Sequence, residues 1–76
     1  MQDQVTIRMA SPADGAALQA LEALDSKSLA PGDVLVAEVK GEVRAALPVC
    51  GGGAVADPFR PTAALVRLLR TYAQAL

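Results

Sequence analysis

The residues whose types could do chemistry are a thiol beside a glycine run, a set of basic side chains near the C-terminal end, and scattered carboxylates. Cys50, followed by Gly51, Gly52 and Gly53, has the access that a nucleophile needs. A thiol reacts as its thiolate, yet the chain has no histidine to deprotonate it and no evident group to lower its pKa. A half-exposed cysteine at a strand end is therefore expected. The glycine run could cradle a phosphate only between a strand and a helix N-terminus. Strand-like Ala54-Val55-Ala56 follows it instead, so a flexible turn is expected.

Arg60, Thr62 and Arg67 could form an anion site at the start of a last helix, where the helix dipole favours negative charge. A solvated basic face is the competing expectation, and the preferred one. Asp14, Glu22, Asp25 and Asp33 could do acid–base work only if two of them shared an apolar pocket. Capping accounts for Asp14, the solvent side of a helix for Glu22, and loop positions for Asp25 and Asp33. No catalytic residue follows from the spacing. One cysteine without a histidine also gives no metal-ligand set and no disulfide.

The elements that must position these residues are organised around Val34 to Val49, VLVAEVKGEVRAALPV. Two apolar, β-branched runs meet at Lys40-Gly41 and predict a hairpin with a two-residue turn, Gly41 supplying positive φ. Val39 then pairs with Glu42. One face carries Val34, Val36, Val43, Ala45 and Leu47 with Glu38 near the turn. The other carries Leu35, Ala37, Val39, Glu42, Arg44 and Ala46. The first face is expected under the helices, and the second free for solvent or another subunit, which makes Leu35, Ala37, Val39 and Ala46 interface candidates. A one-residue slip would exchange the two assignments.

Before the hairpin, Met1 to Gln4 is polar and expected to fray, and Val5 to Met9 alternates with period two as an edge or near-edge strand. Ser11, Pro12 and Asp14 form a helix start with a capping box, and Leu18, Leu21 and Leu24 give the helix its stripe. Asp25 to Asp33 is a loop by composition, with Leu29 expected to anchor it beneath the sheet. After the hairpin, Ala54 to Ala56 predicts a short third antiparallel partner. Arg60-Pro61-Thr62 then opens a helix with Leu65, Val66, Leu68, Leu69, Tyr72 and Leu76 on or near one face. The expected fold is α+β, a two-layer β-α-β-β-(β)-α unit: a small antiparallel sheet with two helices on one face.

Composition narrows the functional classes. A hydrophobic content of 53% with only 3% aromatics means a thin core of Ala, Val and Leu, which association with a second copy would supplement. A net charge of −1 gives no electrostatic footprint for nucleic acid. The longest uncharged apolar run, Ala45 to Ala56, is too short to span a bilayer. The lone thiol fits a reducing compartment, so a cytoplasmic location is expected.

The order of strand, capped helix and V-A-E-V-x-G-E-V hairpin (Val36 to Val43) resembles the first half of the GNAT superfamily of N-acetyltransferases. Ile7-Arg8-Met9-Ala10-Ser11-Pro12-Ala13-Asp14 is similar to the IRPATPAD start of many members. The likeness implies a GNAT-like half domain and, in complete members, an acetyl-CoA pyrophosphate held by a Gln/Arg-x-x-Gly-x-Gly/Ala loop at a helix N-terminus. Here Asp57-Pro58-Phe59-Arg60-Pro61-Thr62 stands in place of that loop, with two prolines and no glycine. The fifth to seventh strands, and the tyrosine that often follows them as general acid, have no counterpart; Tyr72 lies on an apolar helical stripe. The chain is thus expected to be a single truncated domain, without catalysis or cofactor, acting as a homodimer or through a protein partner. The alternative is an acyl-CoA-dependent N-acetyltransferase whose site is completed by oligomerisation.

Overall fold

The computed structural model describes residues 4–76. The expected frayed start therefore lies outside the described residues except for Gln4. The elements run β1 (Val5–Met9), a single 3-10 turn (Pro12–Asp14), α1 (Gly15–Asp25), β2 (Val34–Val39), β3 (Glu42–Pro48), β4 (Val55–Ala56) and α2 (Ala63–Gln74). All strand pairs are antiparallel, and the spatial order β1-β2-β3-β4 follows the chain order. The fold is α+β, a small antiparallel sheet with two helices, as the sequence predicts.

The helices do not share a face. Leu65 and Leu69 of α2 pack with Leu35, Ala37, Ala45 and Leu47, whereas Leu21 of α1 packs with Val34, Val36, Ala46 and Val55. Alternate residues of β2 point to opposite sides of the sheet, so α1 and α2 cover opposite faces and the unit has three layers. The face expected to be free is closed by the chain itself. Leu35 is 4% exposed and Ala37 and Ala46 are fully buried, while Val39 is half-buried against α2. These positions form core, not an interface.

A bulge in β3 accounts for the rest of the difference. Lys40 and Gly41 turn the hairpin at φ 55° and 77°, and Val39↔Glu42 and Glu38↔Val43 pair as the two-residue turn predicts. The register then shifts, and Ala37 faces Ala45, Val36 faces Ala46 and Leu35 faces Leu47. Arg44 is the extra residue, without a cross-strand partner. Beyond it, Ala45 and Leu47 turn to the α2 side and Ala46 to the α1 side. Positive φ at both turn positions favours glycine or asparagine. Gly41→Val should therefore lower stability by about 1–3 kcal/mol through a β-branched residue at positive φ. Urea denaturation measures it, and an unchanged midpoint would place the turn elsewhere.

The loops are held by carboxylates. Glu22, expected on the solvent side, is half-buried and accepts the Leu29 N–H at 2.7 Å, fixing the loop while Leu29 packs into the α1-side core. Asp25 accepts the Ala56 N–H at 3.1 Å, a donor of β4 that points away from β3, since the neighbouring Asp57 N–H bonds the Arg44 carbonyl.

Candidate functional site

Arg8, Asp14 and Glu38 form the strongest ionic cluster among the described residues. Arg8 donates to both Asp14 oxygens at 2.8 and 2.9 Å and to Glu38 at 2.9 Å, and Asp14 also accepts the Ser11 N–H at 2.7 Å. Bidentate, charge-assisted geometry is the strong form of this contact. The Arg8 guanidinium, followed for Asp14 by the Ser11 N–H, holds both carboxylates below their usual range, and the carboxylates in turn raise the Arg8 pKa. One guanidinium bridges the two carboxylates, so the cluster ties the start of α1 to β1 and β2.

Depressed carboxylate values contribute stability above the unfolded range that is lost as pH falls through the folded values. The melting midpoint should thus fall as pH drops below about 4.5, the ordinary value for Glu38. Asp14→Asn should melt several degrees lower at pH 7 and show a flatter acid limb. A limb of unchanged slope would remove Asp14 from the acid response. Arg8, with a raised pKa, adds no dependence in this window.

The second cluster lies at the other side of the hairpin turn. A groove of about 390 Å³ is lined by Lys40 from the turn, Arg44 from the bulge, Arg60 and Thr62 before α2, and the apolar Val39, Pro61, Ala64 and Leu65. No carboxylate is among its lining residues within the described part of the chain. Two segments far apart in sequence meet here because α2 crosses the β2–β3 face and begins beside the turn. Among the described residues, two acids contact these arginines: Glu42 lies 3.5 Å from an Arg44 Nη and Asp57 lies 4.0 Å from the Arg60 Nε. Of the predicted anion residues, Arg60 and Thr62 line the groove and Arg67, exposed on α2, does not. Lys40 and Arg44 went unpredicted. The available signal was Arg44 as a lone charge inside an apolar strand run.

The remaining candidates stay apart. Cys50 is exposed on the turn after β3. Glu22 and Asp25 serve backbone donors, and Asp33 is exposed. Among the described residues, no group of three or more His, Cys, Asp or Glu side chains is placed to hold a metal ion. No helix among them is long and apolar enough to cross a membrane. In class, the fold is a four-stranded antiparallel sheet between two helices, with a basic groove at one end of the last helix. No family model, curated protein or solved structure matches the chain.

Proposed function

We propose that the chain is a small GNAT-like domain that acts by binding and not by catalysis, and that its ligand is anionic. The observation that carries this reading is the convergence of Arg44 and Arg60, beside Lys40, on one groove with no carboxylate among its described lining residues, in a chain whose net charge is −1. Low-dielectric walls focus such a field and concentrate oppositely charged ligands. The GNAT likeness rests on the Val36 to Val43 hairpin and the capped start at Ser11, and it is supported by the element order β-α-β-β-β-α.

Calorimetry of the 76-residue chain with inorganic pyrophosphate tests it. Binding at low salt that weakens steeply as ionic strength rises is the expected result, because the attraction is screened within about 10 Å at 0.1 M salt. Silence at millimolar pyrophosphate would overturn it. The alternative, an acyl-CoA-dependent transferase completed across an oligomer, draws on the groove's place at the start of the helix after β4. Micromolar binding of acetyl-CoA, competed by pyrophosphate and accompanied by acetyl transfer to an amine, would favour that alternative.

Self-association belongs to the proposal too, on different residues from those first expected. Leu68 and Tyr72 lie four positions apart on α2, with Leu76 beyond its end, and the three are 41%, 50% and 73% exposed. A monomeric mass by light scattering at high micromolar concentration would remove this part.

A further inference from the structure

Resting on the anion-binding reading, we propose that Arg44 selects the ligand of the groove, that this ligand is an organic phosphate monoester, and that Glu42 is its internal competitor. The bulge supplies the first reason. With Val43 opposite Glu38 and Ala45 opposite Ala37, taking residue 44 out of β3 would leave a regular hairpin with every apolar side chain on its present face. Core packing therefore does not call for the extra residue. Bulges re-aim a side chain or end a ladder, and this one places a guanidinium between the groove and a second cavity of about 380 Å³ lined by Asp14, Glu38, Glu42 and Asp57.

The state of that guanidinium supplies the second. The Arg44 side chain is 13% exposed, its Nε is buried without a hydrogen-bond partner among the described residues, and its ion pair is a 3.5 Å contact with a Glu42 side chain that is 67% exposed. A guanidinium carries five donors in a rigid planar fork. Buried polar groups are nearly always partnered, so this one has unmet capacity. Drawing it toward an oxyanion in the groove would give Nε and Nη two acceptors at once, the bidentate geometry that arginine makes with phosphate and lysine does not.

Ligand charge and shape follow from the lining. Arg60 stands with Arg44, so two guanidinium groups answer a dianion better than a single carboxylate, and Val39, Pro61, Ala64 and Leu65 offer apolar surface to an organic substituent. Glu42 lines the neighbouring cavity and not the groove, but through its 3.5 Å contact with an Arg44 Nη it competes for the guanidinium that such a ligand needs.

Titration of the chain with phenyl phosphate, inorganic phosphate and benzoate at low salt tests this. Phenyl phosphate should bind most tightly. Arg44→Lys, which keeps the charge and loses the fork, should weaken phenyl phosphate by about tenfold, and Glu42→Gln should tighten it several-fold. Benzoate binding as well as phenyl phosphate would overturn the phosphate assignment. An Arg44→Lys affinity equal to that of the parent would reduce the site to net charge. Should Arg44→Lys fail to melt cooperatively, Glu42→Gln decides, since its side chain is largely in solvent, and an affinity that does not rise overturns the competitor role. No binding of pyrophosphate or any phosphate by the parent would defeat the anion-binding reading itself, whereas parent binding with indifferent variants defeats only this inference.

Discussion

Truncating Leu69 to alanine should cost about 2–5 kcal/mol, the largest loss expected from any single truncation on the α2 side of the sheet. Leu69 is fully buried among Leu35, Ala37, Ala45, Leu47 and Leu65, three of which are leucines of fixed shape. Alanine neighbours cannot close the space that would be left, so the cavity persists and its cost adds to the lost transfer free energy. In a domain of 76 residues, whose whole margin is on the order of 3–5 kcal/mol, such a loss leaves much of the population unfolded at 37 °C. Urea denaturation followed by circular dichroism measures it. A change below half a kcal/mol would mean that α2 does not cover the sheet.

Leu21→Ala is the matching experiment on the opposite face. Leu21 is 3% exposed and packs with Val34, Val36, Ala46 and Val55, and its truncation should also cost about 2–5 kcal/mol. The pair is informative because the sheet separates the two sites. Losses at sites without shared partners add within about 0.3–0.5 kcal/mol. Independent losses at Leu21 and Leu69, read in a stabilised background or in added osmolyte, are expected for helices on opposite faces. Coupling well beyond that range would put both leucines in one cluster, as a two-layer arrangement requires.

How far the sequence foretells this molecule can be argued from the same residues. Lys40-Gly41 marks the turn, period-two alternation marks β1, and Ser11-Pro12 with Asp14 marks the approach to α1; each is a local signal and each element is present. The faces are a different matter. Val34-Leu35-Val36-Ala37 and Ala45-Ala46-Leu47 are apolar on both parities, so a one-residue shift between them leaves no trace in the pattern. Such runs are themselves the mark of strands covered on both sides, and that was the legible clue to the three layers. The groove depended on the missed shift. Arg60 and Thr62 could be nominated from their place before a helix, but Lys40 and Arg44 join them only through the turn and the bulge. Conversely, Leu35 and Ala37 are closed off because α2 covers their face of the sheet, and Ala46 because the shift turns it to the α1 side.

The Asp25 carboxylate on the outward Ala56 N–H has a consequence for sheet growth. An open strand edge is a template for any passing extended chain, and natural proteins blunt such edges with charge, bulges or short length. Here β4 has only two residues, and its outward donor is already engaged by a side chain from α1. A fifth strand, from this protein or another, could join at β4 only by displacing that carboxylate and leaving it a new partner to find. Asp25 thus blunts this edge of the sheet, and removing it would free the Ala56 N–H without touching the core.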